Sequence, residues 1–232
     1  MKKLTNIILG LVWMCVIIPL AVTLTLHFKP LYYTDVVALD ISGTSGLPVS
    51  EIKANYDELI RYNTFTGPKE LHFPTLAMSE TGRIHFEEVK TVFLRFQIAG
   101  LCALAAGLIL TPIVRKMGES EYLKWTGILT IVLPLAVGGL VAISWQRFFV
   151  LFHKVLFNND YWIFSADTDP VITILPDTFF MHALIMILVL SFGGALICLI
   201  RYRGLKKQAK IREQEIIIEE YITASEGPSE GQ

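Results

Sequence analysis

Four long stretches of this 232-residue chain carry no Lys, Arg, Asp or Glu. Leu4 to Phe28 gives 25 residues, Phe96 to Val114 gives 19, Trp125 to Gln146 gives 22 and Thr178 to Ile200 gives 23. A helix rises ~1.5 Å per residue and the hydrocarbon core of a bilayer is ~30 Å thick, so each run can cross it. A soluble core helix seldom needs such a run once. Four in one chain predict an α-helical membrane protein with four transmembrane helices. Composition agrees, because 53% of residues are hydrophobic and only 18% charged, with the charges gathered between the runs. The expected spans are therefore 4–28, 96–114, 125–146 and 178–200, with long segments at 29–95 and 147–177, a short loop at 115–124 and a tail at 201–232.

Pro19, Pro112 and Pro134 inside the spans are no obstacle, since neighbouring helices can re-satisfy the backbone groups that a proline frees. The Gly138-Gly139 and Gly193-Gly194 pairs fit either close helix packing or simple tolerance. Cys15, Cys102 and Cys198 fall on three different spans, with no metal-binding spacing, and are expected to be packing residues. The first apolar run follows Lys2-Lys3 but is much longer than the core of a signal peptide, and no small-residue cleavage site closes it. It is expected to remain as an anchor.

Orientation follows from lysine and arginine. Residues 1–3, 115–124 and 201–232 hold eleven of them in 45 residues, against nine in the 98 residues of 29–95 and 147–177. The positive-inside bias puts both termini in the cytoplasm and the two long segments outside. The basic cluster from Arg201 to Arg212 serves that bias and can touch anionic lipid; nothing points to nucleic acid.

The first long segment has a pattern of its own. Leu31 to Ile41 is rich in β-branched and aromatic residues and Ser42-Gly43-Thr44-Ser45-Gly46 follows, which predicts a strand and turn. Ser50 can cap a helix to about Asn63, with Ile52, Tyr56, Leu59 and Ile60 on one face. Leu71 to Met78 reads as extended, with Pro74 holding it at an edge. From about Arg83 a helix runs into the second span. The expectation is a small extracytoplasmic α+β cap, stabilised by resting on the helix ends.

The second segment is dense in aromatics. Phe148 to Phe157 predicts a helix lying in the membrane interface, stopped by Asn158-Asn159-Asp160. Asp169-Pro170 supplies an N-cap and first-turn proline for a short helix that Pro176 ends. Tyr161 and Trp162 suit the aromatic belt.

Chemistry points to histidine. His27, His72 and His182 fit local structural roles. His85 and His153 each lie near a membrane boundary on the same side, so the fold can bring them together. Glu88 follows His85 on one helical face and can orient its ring. His153 sits amid phenylalanine, where desolvation favours the neutral imidazole. Interfacial histidines are more often structural than catalytic, and the residues alone leave both readings open. No HExxH, GxSxG or phosphate-binding loop is present, and no span carries a charge, which disfavours a metalloprotease, a hydrolase elbow and a transporter. Ser79, Ser144 and Ser165 are possible nucleophiles, but nothing singles one out.

Two regions carry a resemblance. Ser79 to Lys90 (SETGRIHFEEVK) and Phe152 to Phe180 (FHKVLFNNDYWIFSADTDPVITILPDTFF) are similar to the motifs of the bacterial lipoprotein intramolecular transacylases, the Lit family. The chain departs from many members at Gly82, Phe86 and Glu88, where they carry glutamate, methionine and aspartate. The resemblance implies a four-span enzyme of the bacterial cell membrane that moves the sn-2 acyl chain of a diacylglyceryl lipoprotein to the amine of its N-terminal cysteine. The product is a lyso-form lipoprotein. It implies His85 and His153 as catalytic groups, with Glu88, Lys90, Asn158, Asn159 and Trp162 orienting them or binding substrate. No cofactor or metal is needed, since an ester already stores the free energy for making an amide; the partners are the lipoprotein and membrane lipid. A monomer is plausible, and the sequence leaves oligomeric state open. The rival readings are another membrane lipid acyltransferase or hydrolase, and a non-enzymatic membrane protein whose cap binds a partner.

Overall fold

The computed structural model describes residues 2–116 and 120–225. Among them every regular element is a helix: α1 (Lys2–His27), α2 (Lys29–Ala38), α3 (Ile41–Ser45), α4 (Val49–Tyr62), α5 (Glu80–Lys116), α6 (Tyr122–Ile143), α7 (Trp145–Leu156), α8 (Val171–Ile174) and α9 (Asp177–Ser225). Of these, α1, α5, α6 and α9 are long and apolar enough to cross a membrane. Helix α9 continues without a break through the basic cluster as far as Ser225. Residues 117–119 of the expected short loop and 226–232 of the tail lie outside the described residues.

Helix α1 is the centre of the bundle and packs against α5, α6 and α9, while α6 also packs against α9. Small residues set these contacts, because lipid tails give apolar helix faces little reason to prefer one another over solvent. A Cβ at Gly10 would lie 2.7 Å from the Trp125 Cβ on α6, and one at Gly194 of α9 would lie 2.7 Å from the Ile17 Cγ2 on α1. Gly139 and Gly193 have nothing within 4 Å, so one glycine of each pair is merely tolerated. On α5, Thr111 accepts the Trp13 indole N–H at 3.0 Å. Cys15 and Cys102 are exposed on the helix surface, so they are not the packing residues the sequence suggests; Cys198 is half-buried.

One apolar core closes the cap end of the bundle. Tyr32, Val36, Ile52, Tyr56, Val171, Ile174 and Phe179 all belong to it, so both long segments and the start of α9 contribute. The Tyr32 and Tyr56 rings stack at 3.7 Å, and the Tyr32 hydroxyl donates to the Ile174 carbonyl at 2.7 Å. Asp35, also buried, accepts from His182 on α9 at 2.9 Å.

The α+β cap is not found. Residues 31–41 form α2 and the start of α3 instead of a strand. Pro30 presets the first turn, and Tyr32, Asp35 and Val36 are buried at helical spacing while Val37 is 76% exposed. β-propensity reports fit to a pleated surface, and here the shared core is reached by one helical face. Residues 71–78 also form no strand. Their backbone is held by a side chain: the Thr75 N–H donates to Asn55 Oδ1 at 3.3 Å, and the Asn55 amide donates to the Thr75 hydroxyl at 2.7 Å.

Candidate active site

Helix α5 is one rod of 37 residues that starts in the cap and runs through the bundle. Its first turn is fixed twice. Ser79 Oγ accepts the Gly82 N–H at 3.0 Å, and Asp169 Oδ1 accepts the Ser79 N–H at 2.8 Å. Asp169 is 3% exposed and also accepts from the Thr168 hydroxyl at 2.8 Å. Sequence reading placed Asp169 as the cap of its own short helix, but the residue preceding α8 in the cap position is Pro170, and the Asp169 carboxylate serves α5. Gly82 leaves room for it, since a Cβ there would lie 2.2 Å from Asp169 Oδ1.

In the second turn of this rod comes His85, 6% exposed, with its Nδ1 buried and without a partner among the described residues. His153 arrives from α7, a helix with no buried residue whose start is capped by Ser144 accepting from the Arg147 N–H. The two imidazole rings stand 6.1 Å apart, centroid to centroid. The site is aromatic. Phe157 and Phe164 meet the His85 ring edge-on at 4.9 and 5.5 Å, and Trp162 stacks on His153 at 4.7 Å. This cage explains the electrostatics. Burial, helped by His153, pushes the His85 imidazole down to about 4. Burial also lowers His153, against the opposing pull of its bond to the Phe149 carbonyl. That bond, 2.8 Å from His153 Nδ1, fixes the tautomer: a carbonyl only accepts, so Nδ1 carries the proton and Nε2 is left with the lone pair.

The remaining candidates divide. The Asn159 side-chain amide donates to Glu88 Oε1 at 2.9 Å, and the Asn159 backbone carbonyl accepts the Trp162 indole N–H at 3.1 Å, so Glu88, Asn159 and Trp162 form one network beside the histidines. No hydrogen bond joins Glu88 to His85 among the described residues; Glu88 Oε2 is buried and unpartnered. Asn158 is exposed. Lys90 points elsewhere, donating to the Pro68 carbonyl at 2.6 Å and lying over the Tyr62 ring, where it holds the 64–70 turn; burial lowers its pKa. Ser79 and Ser144 serve as helix caps. Phe157 and Phe164 escaped sequence reading because aromatics are common throughout that segment.

Beside the histidine pair, Ile84, Glu87, Glu88, Thr91, Val92 and Arg95 of α5 face Leu156 and Phe157 across a groove of about 310 Å³. No group of three His, Cys, Asp or Glu side chains suited to a metal ion occurs among the described residues.

The family described as "Lipoprotein intramolecular transacylase Lit" matches residues 7–180, well over half of the chain. The chain belongs to the Lit family. Its fold is similar to the structure of the membrane-integral lipoprotein intramolecular transacylase Lit from Bacillus cereus, with a TM-score of 0.88 at 37% identity, covering 91% of this chain and 98% of that one. Two variant structures of that B. cereus Lit, in which a histidine is replaced by arginine or by alanine, match at TM-scores of 0.84 and 0.83, both at 36% identity. Each covers 91% of this chain, and 95% of the arginine variant or 96% of the alanine variant. An uncharacterised Aquifex aeolicus protein is 32% identical over 108 residues, so the match spans only about half of that relative, 48%, and 47% of this chain. A transacylase is an acyltransferase, so the family makes this chain one, and its four long apolar helices match the membrane-integral character of the B. cereus protein.

Proposed function

We propose that the protein moves the sn-2 acyl chain of a diacylglyceryl lipoprotein from glycerol oxygen to the α-amine of the N-terminal cysteine, giving the lyso-form. The observation that carries this reading is the pair of imidazoles 6.1 Å apart in an aromatic cage, within a chain of the Lit family. The new bond is C–N and the broken bond is the ester C–O, with no change in oxidation state. Amine and ester belong to one molecule, so holding them in near-attack geometry supplies much of the acceleration, through effective molarities of ~10⁵ M or more.

Two proton movements remain, each worth ~10²–10⁴-fold when a positioned group performs it. The ammonium sheds one proton to solvent; His153 Nε2 takes a second from the nitrogen as the C–N bond forms, since its Nδ1 is committed to Phe149, and returns it to the leaving glycerol oxygen. His85, kept neutral by burial, donates an N–H to the tetrahedral oxyanion. Glu88, Asn159 and Trp162 hold the second segment against α5; exposed Asn158 is left for substrate contact, and Lys90 supports the cap. Both imidazoles come from one chain, so the chemistry requires neither a second copy nor a cofactor.

The lysine and arginine bias supports cytoplasmic termini, which sets the cap end on the extracytoplasmic face of the cell membrane. That is the side on which the proposed lipoprotein presents its acylated cysteine.

Transfer within one molecule leaves total mass unchanged and acylates the amine, whereas hydrolysis removes one acyl mass. Tandem mass spectrometry of a co-expressed reporter lipoprotein reads the difference. Wild-type protein should give an N-acyl fragment at unchanged parent mass; His85→Ala and His153→Ala, present in the membrane at normal levels, should leave the amine free. Loss of one acyl mass would indicate a hydrolase instead.

A further inference from the structure

The groove beside the histidines has an unmatched charge. Its two acidic side chains are Glu87 and Glu88, and Glu87 is paired with Arg83. Glu88 is different. Its Oε1 accepts from Asn159, but its Oε2 is buried and has no partner among the described residues. One helical turn away, His85 Nδ1 is also buried and unpartnered, on a side chain that is 6% exposed. Leaving a buried carboxylate oxygen unpaired is costly, and such atoms are rare in native structures unless something else occupies the site. A carboxylate only accepts hydrogen bonds, so the missing group is a donor, and a cationic one suits it best.

The groove is also polar along its length. Arg95 lies seven residues beyond Glu88 on α5, ~10 Å farther along the helix, and puts the opposite charge at the other end. A cationic group entering the groove is drawn to the Glu88 end and repelled from the Arg95 end.

We propose that Glu88 is the acceptor for the ammonium group of the substrate's N-terminal cysteine, and that it thereby separates substrate from product. This rests on the transacylase reading given above. The free amine arrives charged, because the ordinary α-amino pKa is ~8. After transfer its nitrogen is an amide, which carries no charge and a single N–H. The contact that holds the substrate is weakened by the reaction itself, so product leaves and is not rebound. Once the ammonium has shed its first proton to solvent, the carboxylate retains an N–H of the neutral amine, and it stands beside the imidazolium formed when the imidazole takes the second.

The test uses full-length protein in lipid bicelles carrying His153→Ala, so that nothing turns over. Two diacylglyceryl-cysteine peptides labelled at their C-termini, one with a free amine and one N-acetylated, are compared by fluorescence anisotropy. The Glu88-containing protein should bind the free amine about tenfold or more tightly, the scale of a charge-assisted hydrogen bond. Glu88→Gln, which keeps an oxygen for Asn159, should bind both peptides alike, and Glu88→Asp should recover part of the preference. Equal binding by the Glu88 protein overturns the proposal without any variant at that position, as does a preference that survives Glu88→Gln. Turnover by the wild-type protein separates the two readings. No N-acyl product removes the transacylase reading, whereas N-acyl product without an amine preference removes only this one.

Discussion

Asp169 accepts the backbone N–H of Ser79 at 2.8 Å, and through that bond the second long segment holds the first turn of the helix that carries His85. The contact links residues 90 positions apart, and the Asp169 side chain that makes it is buried. Asp169→Ala should therefore lower thermal stability by ~1.5–3 kcal/mol, the usual worth of a hydrogen bond to a charged group, and reduce turnover as the two imidazoles lose register. Asp169→Asn keeps the acceptor oxygen and should lose less. Gly82→Ala tests the same contact from the other side, because its Cβ would lie 2.2 Å from Asp169 Oδ1; overpacking of this kind costs ~1–3 kcal/mol. Thermal midpoints of the three variants, measured in one detergent, check the order.

The imidazole of His85 gives stability a pH dependence with a definite sign. Its folded value is pushed down to about 4, against the ordinary imidazole value of 6.5, by burial first and His153 second. Between those values the unfolded chain binds more protons than the folded one, so stability rises with pH across that window. It falls as pH drops below 6.5, and the loss is complete below about 4. The lowered His153 adds in the same direction. Thermal midpoints between pH 4 and 7 should show this rise, and His85→Phe, a ring that suits the aromatic cage, should flatten part of it. A midpoint that increases on acidification would contradict the burial of His85.

Trp162 has two separable contacts, a stack on His153 and an indole hydrogen bond to the Asn159 carbonyl. Trp162→Phe keeps a ring over the imidazole and gives up the hydrogen bond, while Trp162→Ala loses both. An aromatic pair is worth ~0.5–1.5 kcal/mol, so up to about tenfold should separate the two variants in turnover, with the phenylalanine variant faster. Steady-state rates on a synthetic lipopeptide decide it.

Lys90 is expected to matter for the cap and little for chemistry. Lys90→Met removes the bond to the Pro68 carbonyl and the charge over Tyr62, and should cost about 1 kcal/mol of stability. Turnover should stay within a few-fold of wild type. A large rise in KM with unchanged stability would instead give Lys90 a place at the substrate.

The spans were legible because length and charge exclusion are one-dimensional properties, and the bilayer converts them directly into helices. The nearness of His85 and His153 was also legible, since each flanks an expected span and both fall in the two long segments expected to share a side. The cap was misread at residues 31–41, where Val, Tyr and Thr suggested a strand while Tyr32, Asp35 and Val36 already fell at helical spacing. Asp169 was misplaced for a different reason. An aspartate before proline is a local cap signal, and only three-dimensional proximity reveals that its oxygen serves a helix 90 residues earlier. The Phe157 and Phe164 cage was hidden by abundance: in a segment crowded with phenylalanine, sequence gives no way to tell which rings face the histidines.

The most direct measurement of the central claim is a double-label crossover with purified protein. One lipopeptide carries a deuterated sn-2 chain, a second carries a heavy-isotope peptide with an unlabelled chain, and both react in the same bicelles. The account predicts N-acylated products in which each chain stays with its own peptide, with none formed by His153→Ala. Deuterated chains on the heavy peptide, or released as free fatty acid, would contradict it.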